Sequence, residues 1–191
     1  MLQILFALLV LLSTGVSEQR KYSGPRCLGS FCVTTNVPSS RLFKQLGKPA
    51  KGKDVFCYRA QDGRTFLYVE TIHSDPDTAA EVFLSDFPNC MHLPVKTTTN
   101  ELRNWKTPEG IGLGSSERTV LRAYGKPASE TTIIKDEGLS GRIQGWKPNE
   151  RGPQMGDKAI LYNSELLDDN SAGEFGFRKG KVSWIWLSVN E

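Results

Sequence analysis

Histidine, the side chain used most often for acid–base catalysis, is scarce in this sequence. Its 191 residues include two, His73 and His92, and neither lies in a recognisable catalytic motif. The sequence also lacks a Gly-x-Ser-x-Gly elbow, a His-Glu-x-x-His pair, a Walker loop and a Cys-x-x-Cys pair. We therefore predict no catalytic residues, no cofactor and no metal site. An enzyme with a scattered pair of carboxylates stays open as an alternative.

An excess of charge of either sign is also missing. The chain has 24 Lys and Arg against 21 Asp and Glu, which gives a formal net charge of +3. The densest basic stretch, residues 44–53, holds four lysines separated by other residues. Nucleic-acid binding would show as a basic stripe or run, so we predict no nucleic-acid partner. The acidic stretch 165–170 lacks the alternating ligands of a calcium loop, and we interpret it as a solvated turn.

A long apolar run stands at residues 1–12. It ends in the small and polar residues 13–17, and charge begins at Glu18. This pattern predicts a signal peptide over residues 1–17 and a secreted or periplasmic protein. The run is shorter than the roughly 20 apolar residues that span a bilayer, so we predict no membrane span. A buried N-terminal strand or helix is the alternative.

Four cysteines follow the predicted signal peptide, and an even number in an exported chain indicates disulfides. Three pairings are possible. Cys27 and Cys32 flank a short segment that a tight loop could close, and we predict this pair. The second predicted pair, Cys57 with Cys90, would tie a strand of the first half to a later segment.

Two stretches, residues 39–49 and 115–127, share one pattern. Each places apolar residues on one helical face, begins with serines that suit an N-cap, and ends in Gly-Lys-Pro. Gly47 and Gly125 suit the left-handed residue that often follows a helix, and the proline prevents continuation. We therefore predict two short capped amphipathic helices. Coincidence is the alternative to a true duplication.

Strand-like segments follow both predicted helices. An Asp-Gly pair at residues 62–63 separates two apolar-rich runs, which is typical of a hairpin. A strand at 159–162 and a hairpin around residues 179–180 follow the second helix. These patterns predict an α+β fold of two degenerate tandem units, residues 18–104 and 105–191, each a helix packed on an antiparallel sheet.

Residues 75–77, Asp-Pro-Asp, predict the start of a further helix between the halves. Ala79, Val82 and Phe83 would lie on one side of it. Residues 135–157 are rich in Gly, Pro and charge, and we interpret them as a loop.

Residues 110–127, which begin Gly-Ile-Gly-Leu-Gly and end Gly-Lys-Pro, resemble the opening of the small bacterial envelope domains typified by the β-lactamase inhibitor protein. The envelope lipoprotein SmpA/OmlA looks similar. The aromatic-Gly hairpin at residues 175–182 completes the pattern. The resemblance implies two tandem units and an inhibitor-like role. The lipid-anchoring cysteine of the lipoprotein is absent from this sequence.

The C-terminal hairpin carries the candidate partner-binding residues. Pairing across its turn places Phe177 opposite Val182 and Phe175 opposite Trp184, with Trp186 following on the same face. Phe175, Phe177, Trp184 and Trp186, here called the aromatic face, form a recognition surface if they are exposed. The alternative is that they pack under a helix as core, because the reverse face is apolar too.

These observations predict an exported, non-enzymatic binding module, inhibitor-like, that recognises another protein through a sheet face and loops. An envelope hydrolase or lyase with an unrecognised site is an alternative, which a deep cleft with clustered carboxylates or histidine would favour. A structural envelope factor is a third.

Overall fold

The computed structural model describes residues 24–32, 37–49, 54–72, 74–90, 93–132, 156–163 and 171–189. The predicted signal peptide and the acidic stretch lie outside these residues. So do both histidines and nearly all of the predicted loop 135–157.

Short strands dominate the described part of the chain, together with two helices. The strands are β1 (Cys27–Leu28), β2 (Phe31–Cys32), β3 (Val37–Pro38), β4 (Val55–Ala60), β5 (Phe66–Thr71), β6 (Thr78–Ser85), β7 (Val95–Thr98), β8 (Ser129–Thr132), β9 (Lys158–Asn163), β10 (Ser171–Arg178) and β11 (Lys181–Val189). The helices are α1 (Ser39–Leu46) and α2 (Glu117–Tyr124), and Leu102–Asn104 forms a 3₁₀ turn.

Nine of the strands form one sheet, in the order β7-β4-β5-β6-β11-β10-β9-β8, with β3 also pairing with β6. Its pairs are antiparallel, except that β7 runs parallel to β4. The antiparallel pairing of β6 with β11 joins the first half of the chain to the second. The described residues thus combine a few helices with a large, mostly antiparallel sheet, as an α+β fold requires. The two halves share one sheet, and the duplication stays a prediction.

Both predicted helices form and end where expected. Gly47 and Gly125 follow α1 and α2 with positive φ angles of 87° and 73°, which a residue without Cβ adopts at little cost. At the start of α2, Ser116 Oγ accepts a hydrogen bond from the Thr119 amide at 3.2 Å, which confirms the predicted N-cap. The serine cap predicted for α1 is wrong, because Ser39 Oγ donates instead to the carbonyl of Pro76.

The helix predicted after residues 75–77 is wrong, because residues 78–85 form strand β6. A turn begins instead at residues 75–77. The Thr78 amide closes it by donating a hydrogen bond to the Asp75 carbonyl at 2.9 Å. Proline suits the second position of such a turn as well as it suits a helix start. β6 is an inner strand covered on both faces, so Val82, Phe83 and Leu84 are all buried and show no alternation.

Apolar side chains cover both faces of the sheet. The helix-side core lies between the sheet and both helices, which contribute Leu42 and Leu46 from α1 and Val120 and Tyr124 from α2. The opposite core lies on the other face and consists of Cys57, Tyr68, Phe83, Phe87, Cys90, Ala159 and Trp184. Each helix has eight residues and would be marginal alone in water, so this packing stabilises it.

Both predicted disulfides are confirmed. Cys27 and Cys32 join across the β1–β2 hairpin, and Cys57 of β4 joins Cys90. The small hairpin buries Leu28 and Phe31 in the helix-side core. Its turn residue, Gly29, has φ 59° and lies against the indole of Trp105, so that a Cβ there would sit 2.5 Å from the ring. A glycine is required at this close approach.

Candidate binding cleft

The C-terminal hairpin β10–β11 differs in register from the prediction. Phe177 pairs with Val182 as predicted, but a register shift between Gly176 and Phe177 places Gly176, rather than Phe175, opposite Trp184. Successive side chains of a strand lie on alternate faces of the sheet. A register shift of one residue therefore places a side chain and its expected neighbour on opposite faces. The predicted pairing of Phe175 with Trp184 is therefore wrong.

This shift divides the aromatic face between the two sides of the sheet. Phe175 and Phe177 lie in the helix-side core, where Phe175 stacks on Tyr124 with centroids 5.6 Å apart. Trp184 lies in the opposite core and is buried, while Trp186 beside it is partly buried. The four residues therefore do not form one exposed surface. The alternative, that they serve as core, holds for three of them.

Trp184 is covered by the segment that follows β6. Its indole stacks on Phe83 at 5.4 Å, and Phe87 and Cys90 belong to the same core. Asn89 fixes this segment by donating from Nδ2 to the Phe83 carbonyl at 2.7 Å. The disulfide to Cys90 holds it from the other side. The described residues thus leave no broad aromatic surface at the centre of this face.

An open cleft of about 320 Å³ lies instead at one end of the sheet, where β10 turns into β11. Among the described residues, four cationic ones line it: Arg103, Arg178, Lys179 and Lys181. Asp86, which follows β6, supplies the one carboxylate in this described part of the lining. We call these five residues, together with the apolar lining residues Leu113 and Val182, the basic cleft.

The β10–β11 turn holds three of the four cations. Lys179 and Gly180 both have positive φ, 51° and 69°, as in the type I′ turns that match the twist of a hairpin. The Lys179 amide donates to Oδ2 of Asp157 at 2.7 Å, which fixes the turn against the start of β9. Arg178 and Lys181 pair across the turn, so three cations are presented within four residues.

Arg178 is oriented by two neighbours from the first half of the chain. Its guanidinium carbon lies 5.7 Å from the centroid of the Phe87 ring, a cation–π distance. Its Nη1 lies 3.5 Å from Oδ1 of Asp86. Both neighbours belong to the segment that covers Trp184, so the segment that closes the opposite core also builds the cleft.

The remaining wall comes from the loop that precedes α2. The Gly114 amide donates to the Val182 carbonyl, and the Val182 amide donates to the Ser115 carbonyl, both at 2.8 Å. These bonds hold Leu113 and Gly114 against β11. Arg103 comes from the 3₁₀ turn, which Leu102 and Trp105 anchor in the helix-side core.

The electrostatics of the cleft favour anions. Four cations against one carboxylate give the described lining residues a formal charge of +3. Burial raises the pKa of Asp86 above its ordinary value, while the guanidiniums of Arg178 and Arg103 act in the opposite direction. A concave site lined by one sign of charge focuses the field that it presents to a ligand.

The described residues provide few groups for a metal site, a nucleophilic site or a membrane-spanning helix. No group of three or more His, Cys, Asp or Glu side chains there could hold a metal ion. All four cysteines are paired, which leaves no thiol for nucleophilic chemistry. No helix in the described part of the chain has the length and apolar character needed to cross a membrane.

Comparison with known proteins identifies no relative of this chain. No protein-family model matches the chain, and no curated protein and no solved structure shows significant similarity to it. The resemblance to the β-lactamase inhibitor protein therefore stays a prediction.

The basic cleft was not predicted from the sequence. Its cations occur at positions 103, 178, 179 and 181, and the first is far from the others along the chain. The densest basic stretch, residues 44–53, contributes none of them. The signal that was available is Lys179-Gly180-Lys181, which places two lysines at the tip of a predicted hairpin.

Proposed function

We propose that this chain is an exported binding module that recognises another protein through the loops around the basic cleft. This proposal keeps the binding function predicted from the sequence and moves its site from the sheet face to the loop end. Export, with a signal peptide at residues 1–17, is part of the proposal. The two disulfides support it, since such bonds persist in oxidising compartments.

One observation carries the proposal: the cleft gathers four cations around a cavity, while the aromatic residues that could have formed a sheet-face site are mostly buried. Arginine is enriched at the energetic centres of protein interfaces. The cleft is built by loops and turns on a rigid sheet, an arrangement that commonly carries binding residues. The proposed two-unit origin of the fold and its likeness to an inhibitor protein are compatible with such a role.

Affinity capture from the native envelope and culture medium tests the proposal when it is done with charge-reversed variants. Lys181→Glu changes the cleft, and Arg118→Glu changes an exposed cation on α2 as the matched control. We expect a protein that wild type and Arg118→Glu retain and that Lys181→Glu loses. Equal retention by all three forms, or no retained protein, would overturn the proposal.

A further inference from the structure

The described lining of the basic cleft carries an excess of positive charge. Four cations against one carboxylate give these residues a formal charge of +3. The cleft therefore attracts an anionic ligand.

We infer that the basic cleft binds the carboxylates of a short acidic peptide segment of the partner, and that Asp86 acts as an internal competitor for Arg178. This inference rests on the proposed function, because the peptide would belong to the recognised protein. Two points are new: the partner's segment is acidic, and Asp86 opposes its binding.

The ion pair in the cleft shows the chemistry that the site accepts. Asp86 already places a carboxylate against Arg178, at 3.5 Å, which is long for a charge-assisted hydrogen bond. The Phe87 ring holds the guanidinium in place from one side. An incoming carboxylate can approach Arg178 at a shorter distance, because the backbone that follows β6 does not fix its position.

The shape of the cleft favours a peptide over a polyanion. Its volume, about 320 Å³, lies at the small end of ligand sites. Leu113 and Val182 add an apolar wall, which suits the methylene groups of a glutamate side chain. A sulfated glycan or a nucleic acid binds along an extended basic stripe, whereas these four cations are gathered around one small cavity.

Titration of the isotope-labelled full chain with acetylated, amidated tetraglutamate tests this inference by amide NMR. We expect shifts confined to residues 86, 103, 113–114 and 178–183, weakening with added salt, and none with tetraglutamine. Arg103→Gln and Lys181→Gln should each weaken binding about tenfold, since each removes a charged partner. Asp86→Asn should strengthen it severalfold. The exposed residues Arg118 and Asp77 provide the matched controls, Arg118→Gln and Asp77→Asn, which should change nothing.

Three outcomes would overturn the inference: equal shifts with tetraglutamine, weaker binding by Asp86→Asn, or tighter binding of a heparin tetrasaccharide at the same amides. If Arg103→Gln and Lys181→Gln keep the melting temperature of wild type, their weaker binding results from the lost charge and not from unfolding. If tetraglutamate fails while capture still depends on Lys181, the inference falls and the proposed function stands. If capture shows no dependence on Lys181, the proposed function falls by itself.

Discussion

The indole of Trp184 lies directly on the backbone of Gly176, its partner across β10 and β11. A Cβ added at Gly176 would sit 1.8 Å from Cε2 of that ring. The missing side chain is therefore what allows the ring to pack flat against the sheet and stack on Phe83.

We expect Gly176→Ala to lower the free energy of unfolding by about 1–3 kcal/mol, because the added methyl group overpacks this contact. Trp184→Ala should cost about 3–5 kcal/mol by itself. In the Trp184→Ala background the ring is gone, so Gly176→Ala should cost little. Urea unfolding of the four proteins gives the coupling energy. If the double variant loses the sum of the two single losses in free energy of unfolding, the two residues are not in direct contact.

The two disulfides should differ in their contribution to stability. Cys57–Cys90 spans 33 residues and Cys27–Cys32 spans 5. In the chain-entropy model these loops correspond to about 4 and about 2 kcal/mol. We therefore expect the paired Ser variants of Cys57 and Cys90 to lose more stability than those of Cys27 and Cys32.

Loss of the longer bridge should also expose Trp184, since the segment that covers this ring is tied down by Cys90. Tryptophan fluorescence of the folded variant should shift to longer wavelength. An unchanged emission maximum in this variant would argue against this role for the covering segment.

Ser116, the side-chain cap of α2, can be compared with Ser40, a serine inside α1. Ser116 Oγ accepts from the Thr119 amide at the start of α2, whereas α1 begins without a side-chain cap. Ser116→Ala should cost about 1 kcal/mol. The exposed Ser40 lies inside α1, and Ser40→Ala should stay within about 0.5 kcal/mol of wild type. Thermal unfolding of both variants checks the difference.

Asp62 and Asp86 should titrate on opposite sides of their ordinary pKa of 3.8. The Arg64 amide, 2.8 Å from Oδ1, lowers the pKa of Asp62, and burial raises the pKa of Asp86. The contribution of Asp62 to stability is therefore present above 3.8 and lost as pH falls through its folded pKa. For Asp86 the folded state favours the protonated form, so stability is gained as pH falls from its folded pKa toward 3.8.

Carbon NMR of the side-chain carboxyls measures both pKa values directly. Asp62→Asn should make the acid loss of stability shallower, and Asp86→Asn should make it steeper. Coincident titration of the two carboxyls would contradict both assignments.

Local signals predicted the glycine-dependent helix ends and the turn of the C-terminal hairpin. Gly47, Gly125 and the Lys179-Gly180 turn lie where their backbone preferences place them, and the disulfide pairs agree as well. The failures arise where tertiary context decides. β6 is buried on both faces and so shows no strand alternation, and nothing in the local sequence marks the register shift before Phe177. The cleft depends on strand order, which places Arg103 beside a distant hairpin.

The position of β11 has a consequence for how the chain folds. β11 is the last described strand in chain order, yet it lies at the centre of the sheet between β6 and β10. Until it emerges from the ribosome, β6 and β10 each present an open edge to any neighbouring strand. The sheet therefore closes only after synthesis has reached residue 189.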